Sequence, residues 1–588
     1  MDPIIFSNLN EIASQPELLC EKTTQNQWQV MPYATGDVEG NLLVAGAQTE
    51  PQDITLQLGL SGWHKIYIAM IDMRSANYLH MKLTDDAYFQ GIHIPHEPYT
   101  GEGSRWGEYQ WGAEEFAEEF FWKCADLTGQ DIILSKPLSP TPNIACLLWV
   151  KCVPMTEAEV TTYHSYHDTR TTACVHGHID QDSNGLDPTI QPEKLLIKEG
   201  PLVGTDVNEA SLEISFDYTT DPALRDHLPL CLTPTHQNYQ QGYALFHQIK
   251  EQATAKRVSF LHENGIAVYA ANRMSVCRFQ APYSNAYHTN HVFAESHPQY
   301  YCKMRNGATL KVCSYAYDEV QDYMVSQLVG FMDYGFDGVS LIFHRGAHIG
   351  FEEPVIRRFA ELYPGVDPFV LPAADERLNG VWSDFMTTFM RKLRNALDAA
   401  SDRHLKINVI TDYTPATSKL FGLDVERWAK EHLIDQVLQT IMETFEDLDG
   451  CLNPDGTIDM VRYNEKLKKD YIIKRSCPLA DTQRIIKGFR EYQAICEPYG
   501  IELYGAFPWE YAVGAEYYPK IIDEMHKAGI RKFFNWDINH AMIDLPEYHA
   551  RSMAGHREID PDTYRLNRYR ILSLDGSDMS AFNPNWRG

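Results

Sequence analysis

Short apolar runs alternate with helical segments through the last two thirds of this 588-residue chain. In one such unit an apolar run leads to Glu510, a helical segment follows at 515–529, and the next apolar run, 532–536, leads to Asp537. Eight apolar runs of this kind occur between residues 171 and 537, most of them separated by a helical segment. Short strands that alternate with helices require parallel pairing through right-handed crossovers.

The eight apolar runs are the predicted strands of one α/β domain. Eight strand–helix units close into a barrel more readily than they form an open sheet. No GxGxxG motif follows any of the strands, which disfavours a doubly wound sheet. We therefore predict a (β/α)8 TIM barrel. Its strands are 171–180, 210–217, 266–273, 336–345, 404–412, 434–442, 501–509 and 532–536.

The first 155 residues have a different pattern. Half-buried strands alternate there with Gly, Pro, Asp and Asn turn clusters, as in an all-β, jelly-roll-like sandwich. Such a module is compatible with a structural accessory role and with sugar binding. We expect a β-sandwich accessory domain at 1–165, the barrel at 166–560, and a C-terminal strand and tail at 561–588 that pack on either domain. The strands predicted for the sandwich include 41–45, 54–60, 65–71, 77–83 and 145–153.

The composition limits the partners of the chain. A formal net charge of −29 argues against nucleic acid or an anionic membrane as a partner and favours a neutral or cationic small substrate. The N-terminus has no signal-peptide pattern, and no stretch approaches the roughly 20 apolar residues of a membrane span. The 12 cysteines are scattered without a CxxC pair, which is typical of reduced, buried thiols. We expect a cytoplasmic protein without a cofactor. The sequence does not decide between a monomer and a homo-oligomer.

Polar residues lie at the ends of the predicted barrel strands. Because strand C-termini open onto the active face of such a barrel, these side chains are expected to surround one mouth. Glycosidic cleavage needs one carboxyl group that stays protonated and one that stays ionised, and crowded carboxylates have pKa values that differ in this way. The strand-end residues are Asp180, Asp217, Arg273, His344, Arg345, Asp412, Glu443, Glu510 and Asp537.

Four motifs carry a resemblance to a known group of proteins. They are HENGIAVYAANR at 262–273, SHPQY at 296–300, SYAYDEV at 314–320 and GFDGVSLIFHR at 335–345. This pattern resembles the uncharacterised bacterial glycosyl-hydrolase-like barrels related to family 10, and the similarity covers about residues 171–537. The resemblance implies a barrel that acts on glycosides, and an N-terminal sandwich also suits that group. It says little about the sugar or the bond.

The resemblance also implies roles for two strand ends. In the large clan of retaining barrel glycosidases the nucleophile follows strand seven and the acid/base follows strand four. Glu510 matches the first position. The second does not match, because strand four ends in His344 and Arg345, and the nearest acids, Glu352 and Glu353, lie further along the chain.

The acid role therefore shifts to Asp412 on strand five or Glu443 on strand six, hypothetically with inverting stereochemistry. With Glu510, these two form the predicted catalytic set of an O-glycosyl hydrolase that acts on an oligosaccharide or glycoside. The predicted substrate-binding residues are His178, Asp180, Asp217, Arg273, His344, Arg345, Trp509 and Asp537.

Several candidates have a structural alternative. Asp217 and Asp412 follow strands and are also suited to capping a helix N-terminus. Glu443 begins an acidic stretch that a solvated loop would explain equally well. Arg273 and Arg345 are suited either to gripping a substrate or to pairing with acids that hold the barrel mouth together.

Two other functions compete with glycoside hydrolysis. His176 and His178 form an HxH motif on the first strand, as in metal-dependent amidohydrolase barrels. Those enzymes also need a Lys on strand four and His residues after strands five and six, and this chain lacks that set, so we expect no metal. The second rival is a non-catalytic carbohydrate-binding barrel whose acids only bind.

Overall fold

A computed structural model describes residues 2–46, 49–71, 79–92, 116–136, 144–167, 174–179, 199–203, 205–213, 254–277, 292–343, 349–372, 374–440, 478–507, 518–536, 538, 567–576 and 578–582. Within these residues the first part of the chain is almost entirely β-structure, as the sequence predicts. Its helices are α1 (Leu9–Ile12) and α2 (Glu157–His167). Its strands are β1 (Ile4–Phe6), β2 (Leu19–Cys20), β3 (Trp28–Thr35), β4 (Glu39–Ala45), β5 (Ile54–Leu56), β6 (Trp63–Ile71), β7 (Leu79–Leu83), β8 (Gln90–Ile92), β9 (Phe116–Asp126), β10 (Ile132–Ser135), β11 (Ala145–Leu147) and β12 (Trp149–Pro154).

The second part alternates strands with helices. A helical segment at 254–263 precedes the third barrel strand. The strands are β13 (Cys174–Ile179), β14 (Val207–Glu213), β15 (Ala267–Arg273), β16 (Val276–Cys277), β17 (Tyr301–Lys303), β18 (Thr309–Cys313), β19 (Gly338–Ile342), β20 (Lys406–Thr411), β21 (Gln436–Gln439), β22 (Glu502–Ala506), β23 (Lys532–Asn535) and β24 (Asn567–Leu574). The helices are α3 (Val292–Ser296), α4 (Asp318–Gly330), α5 (Glu353–Leu362), α6 (Glu376–Ala400), α7 (Pro415–Lys419), α8 (Val425–Lys430), α9 (Pro478–Cys496) and α10 (Tyr518–Lys527).

Eight parallel strands close into a barrel in the order β13, β14, β15, β19, β20, β21, β22 and β23. They are the eight strands predicted from the sequence, so the predicted barrel is confirmed. Side chains that point outward pack with the surrounding helices in one hydrophobic cluster. Because successive side chains alternate, the others fill the interior. Their apolar members are Ala271, Ile342, Ile410, Leu438, Tyr504, Phe534 and Trp536.

Local sequence signals fix where the helices of the barrel begin and end. Helix α6 begins after Asp375, whose side chain accepts the N–H of Arg377 and so satisfies one of the helix's free donors. The turn that follows α4 ends at Gly335 with φ at 89°, a left-handed conformation that favours glycine. Only two residues separate Gly335 from β19, so this turn directs the chain straight into the fourth barrel strand.

Two largely antiparallel sheets form the first part of the molecule. One contains nine strands in the order β1, β12, β6, β9, β24, β3, β4, β11, with β2 beside β3, and the other contains β5, β10, β7 and β8. Side chains of both sheets share one hydrophobic cluster, in which Trp28 and Phe120 of the first sheet join Ile54 and Met81 of the second. The two sheets therefore bury their apolar faces together.

The C-terminal strand β24 completes the nine-stranded sheet. It lies between β9 and β3, so of the two packing alternatives the sandwich side is the observed one. Arg568 of β24 donates from Nε to Oε1 of Glu118 at 2.8 Å, and Asn567 donates to Glu119 at 3.3 Å. Both glutamates are buried, so the last strand supplies polar partners that an apolar sheet interior lacks.

Candidate active site

The inward side chains at the C-terminal ends of four adjacent barrel strands form one cluster. Strand β13 pairs with β14 and β23, and β14 pairs with β15. The last inward residues of these strands are His178, Glu213 and Arg273, and Trp536 directly follows β23. We call these four residues the mouth cluster. All four are buried.

Glu213 and Arg273 are the charged centre of the mouth cluster. Arg273 donates from Nε to Oε1 of Glu213 at 2.6 Å and from Nη2 to Oε2 at 3.0 Å. This bidentate geometry fixes the planes of both groups. Arg273 therefore pairs with an acid at the barrel mouth, which was the structural alternative for this residue. The acid is Glu213, which is not among the predicted site residues.

His178 and Trp536 complete the cluster. The Nε2 atom of His178 lies 3.2 Å from Oε2 of Glu213. Its ring stacks on Trp536 with centroids 3.8 Å apart and planes 8° from parallel, and the guanidinium carbon of Arg273 lies 5.8 Å from the Trp536 ring centroid. One face of the indole is therefore covered by the imidazole. Trp536 holds the cluster together rather than offering that face to a sugar.

Asp412 directly follows strand β20 at the same end of the barrel and is buried. Its backbone carbonyl accepts a hydrogen bond from the hydroxyl of Tyr492 at 3.2 Å, which ties the strand end to helix α9. The alternative role of Asp412 as a helix cap is wrong. The cap of helix α7 is Thr414, whose side chain accepts the N–H of Thr417.

The acids nearest to the end of strand four have other partners. Glu352 is buried and accepts backbone N–H groups from Lys303 at 2.8 Å and from Gly350 at 2.9 Å. Burial raises the pKa of Glu352, although these hydrogen bonds oppose that shift. The carboxyl group thus ties the segment after β19 to strand β17. Glu353 is exposed and pairs with Arg357 one helical turn later.

The two histidines of the HxH motif both lie inside the barrel, as the sequence predicts. His176 lies one layer deeper than His178. Its Nδ1 is 3.1 Å from Oε2 of Glu209, and its Nε2 is 2.6 Å from the hydroxyl of Ser211. Among the described residues, no group of three or more His, Cys, Asp or Glu side chains is arranged to hold a metal ion. These imidazoles contact two carboxylates and a hydroxyl group.

The opposite end of the barrel carries a second charged group. Glu502, Lys406 and Lys532 begin strands β22, β20 and β23, and Glu502 lies 3.3 Å from Lys406 and 3.0 Å from Lys532. Glu209 lies 3.7 Å from Lys406 and accepts from Gln436 at 2.8 Å. We call Glu209, Lys406, Glu502 and Lys532 the base cluster. Burial opposes the ionisation of Glu209, but the hydrogen bond and charge of His176 and the bond from Gln436 lower its pKa to about 2.

The structure thus describes three of the predicted site residues, and it places His178 and Arg273 in one cluster and Asp412 at the same end of the barrel. Sequence reasoning missed Glu213 and Trp536. For Glu213 the available signal was a charged residue within a predicted parallel strand, a position where a charge is rare unless it has a partner. The other predicted site residues lie outside the described residues: Asp180, Asp217, His344, Arg345, Glu443, Trp509, Glu510 and Asp537.

Comparison with known proteins gives structural similarities only. The chain matches no protein-family model and no curated protein. It is similar to an alpha-L-fucosidase from Paenibacillus thiaminolyticus (11% identity, TM-score 0.37), with 66% of this chain and 49% of the fucosidase covered. The match therefore spans about half of the fucosidase.

Two further solved structures are similar. An alpha-galactosidase from Thermus thermophilus has 11% identity and a TM-score of 0.33, with 92% of this chain and 98% of that chain covered. An O-GlcNAc hydrolase variant from Thermobaculum terrenum has 10% identity and a TM-score of 0.30, with 67% and 60% covered. At these TM-scores the similarities assign no activity to this chain. Within the described residues, no helix combines the length and apolar character needed to cross a membrane.

Proposed function

We propose that this protein is a glycoside hydrolase whose active site lies at the C-terminal end of the barrel. The observation that carries the proposal is the mouth cluster, together with buried Asp412 at the same end. A buried, fully oriented set of charged and aromatic side chains is costly to maintain, and in (β/α)8 barrels the chemistry occurs at this end. Resemblance to the family-10-like barrels supports the same reaction class.

In the proposed mechanism, Glu510 after strand seven is the ionised carboxylate that attacks the anomeric carbon or activates water. Asp412, with Glu443 as the alternative, is the acid that protonates the leaving oxygen. His178 and Arg273 are held by Glu213 in fixed orientations, so they orient sugar hydroxyls without rearrangement during the reaction.

The finer assignments belong to this proposal as well. Residues 1–165 form a jelly-roll-like β-sandwich with an accessory role, 166–560 form the catalytic barrel, and 561–588 form a C-terminal strand and tail. The substrate is a carbohydrate, consistent with the net charge of −29, which repels polyanions. The protein acts in the cytoplasm in carbohydrate metabolism. The remaining predicted binding residues, Asp180, Asp217, His344, Arg345, Trp509 and Asp537, line the sugar site.

A panel of aryl glycosides and oligosaccharides tests the proposal with the purified full-length protein. We expect release of sugar from at least one substrate. Glu510→Gln is expected to lower kcat by more than about 1,000-fold, because nucleophile or base chemistry is lost, while sugar binding by calorimetry remains. Glu353→Gln, at an exposed surface pair, is the matched control and should keep full activity.

Three outcomes would contradict the proposal in different ways. No turnover of any substrate by the wild-type protein would refute hydrolysis. Full activity of Glu510→Gln would refute the assigned carboxylate. Sugar binding without turnover would support the non-catalytic carbohydrate-binding barrel, and loss of activity with a chelator would support the metal-dependent rival. The anomeric configuration of the first product, followed by NMR, separates retention from inversion.

A further inference from the structure

Gln439 is the last residue of strand β21, and its side chain is completely buried. Its Nε2 donates to the backbone carbonyl of Tyr413 at 2.8 Å and to that of Ile485 at 3.1 Å. Its Oε1 accepts the backbone N–H of Ala506 at 3.2 Å. One amide group therefore connects the segment after β20, helix α9 and the end of β22. These are the elements on both sides of its own strand and the helix that covers them.

The bond to Ala506 takes the place of a sheet hydrogen bond. The pairing of β21 with β22 ends at Leu438 and Tyr504, whereas β22 continues to Ala506. The first bond of this ladder joins the N–H of Glu502 to the carbonyl of Asp435. The hydrogen bonds of a parallel ladder recur every two residues on each strand, so the N–H of Ala506 would donate to the backbone carbonyl of Gln439. It donates to the side-chain Oε1 of Gln439 instead. The side chain thus bridges the point where β21 and β22 separate.

A glycine in helix α9 allows this arrangement. A Cβ atom on Gly488 would lie 1.9 Å from the carbonyl oxygen of Tyr413 and 2.8 Å from Nε2 of Gln439. Only a residue without a side chain lets the helix approach this closely. The space around the Gln439 amide is therefore closed on the helix side, and its three hydrogen bonds fix the orientation of the amide.

We infer that Gln439 is a positioning residue that fixes the C-terminal ends of strands β20, β21 and β22 relative to one another. The inference rests on the proposed function, because these three strands lead to Asp412, Glu443 and Glu510. A glycosidase depends on the separation of its carboxyl groups, about 5 Å for retention and roughly 6.5–9.5 Å for inversion. A misplacement of about 1 Å can lower a rate by about 100-fold.

Gln439→Leu tests the inference against a matched control, Gln321→Leu. Gln321 is also buried, and its Nε2 donates to the backbone carbonyls of Tyr315 at 2.7 Å and Phe385 at 3.4 Å. Both substitutions remove hydrogen bonds to buried carbonyl groups, but only the first loosens strands β20 to β22. We expect Gln439→Leu to lower kcat by about 10- to 100-fold with KM within about threefold of wild type. Gln321→Leu should keep kcat within about threefold.

Gln439→Glu gives a readout that a purely structural role would not change. The new side chain keeps an oxygen for the N–H of Ala506 but faces two carbonyl oxygens with its second oxygen. When the carboxyl group is ionised, the two carbonyl oxygens repel that oxygen. When it is protonated, its O–H donates and restores one hydrogen bond. The kcat of Gln439→Glu relative to wild type should therefore rise as the pH falls through the pKa of the new carboxyl group. A ratio that is constant with pH would overturn the inference.

Amide hydrogen exchange tests the anchoring without any activity. In Gln439→Leu, exchange at the N–H of Ala506 should be at least about tenfold faster than in wild type, with Gln321→Leu unchanged there. Unchanged kcat in Gln439→Leu, an equal loss in Gln321→Leu, or unchanged exchange at Ala506 would overturn the inference. If the wild-type protein cleaves no glycoside, the proposed function fails and exchange at Ala506 alone decides: acceleration supports the inference and its absence overturns it.

Discussion

The two ends of the barrel use the same chemistry in different surroundings. In the mouth cluster the side chain of Glu213 is 0% exposed and that of Arg273 is 7% exposed. In the base cluster the side chains of Glu502 and Lys532 are 37% and 39% exposed. Both ends therefore join carboxylates to cations, but the pair of Glu213 and Arg273 is removed from water and the pair of Glu502 and Lys532 is not.

The difference shows what each end is built for. Removing two charges from water costs several kcal/mol per ion, and a bidentate contact recovers that cost only in one fixed geometry. Half-exposed pairs cost little and contribute little. A barrel needs fixed polar groups at its C-terminal end, where chemistry occurs, and needs only closure at the other end. We therefore interpret the mouth cluster as a functional feature and the base cluster as a structural feature that helps to close the barrel.

The largest expected effect is at the mouth cluster. Arg273→Met should lower the free energy of unfolding by about 3–5 kcal/mol, because it leaves the buried carboxylate of Glu213 without its bidentate cation. Urea denaturation followed by circular dichroism measures the change. If exposure made no difference, the loss would be as small as at the exposed pair of Glu502 and Lys532, below about 1 kcal/mol.

The double variant Arg273→Met, Glu213→Gln is the control for this effect. Because it removes the unpaired charge as well, it should recover most of the stability lost in Arg273→Met. Activity should stay low in both variants, since neither orients the mouth cluster. A double variant that is less stable than Arg273→Met would contradict the explanation by buried charge.

An intermediate effect is expected for Glu209, the most buried carboxylate of the base cluster. Its pKa is lowered from 4.5 to about 2, so its ionised form stabilises the fold. That contribution is fully present above pH 4.5 and is lost as the pH falls towards 2. Glu209→Gln should therefore cost about 2–3 kcal/mol at pH 6 and much less near pH 2. Urea denaturation of both proteins between pH 2 and 7 measures the difference, and a pH-independent difference would contradict this interpretation.

Sequence patterns were sufficient for the barrel because its signal is local. Each strand is a short apolar run followed by a polar residue, and β20 and β23 lie within the predicted runs 404–412 and 532–536. The inward direction of His176 and His178 follows from the two-residue period of a strand. These predictions need no knowledge of what lies across the barrel.

The partners of the site could not be predicted in the same way. The run 210–217 contains two acids, and the choice between Glu213 and Asp217 depends on where the strand ends, which is the least reliable part of a sequence prediction. Strand β24 pairs with β9 and β3, more than 400 residues earlier, and its own pattern does not specify that register. No local sequence pattern identifies Gln439, because its role depends on the point where strands β21 and β22 separate.

The smallest expected effect is at the exposed side of the base cluster. Lys532→Met removes the cation 3.0 Å from Glu502, but both side chains are more than one third exposed and Lys406 remains 3.3 Å from Glu502. We expect a loss of about 0–1 kcal/mol in the free energy of unfolding. The loss should be smaller in 1 M salt, where the Debye length is about 3 Å. Denaturation at low and high salt measures it, with Arg273→Met beside it as the buried counterpart whose loss should hardly depend on salt. A salt-independent loss of several kcal/mol in Lys532→Met would show that this exposed pair stabilises the fold as much as the buried pair of the mouth cluster. The contrast between the two ends would then be wrong.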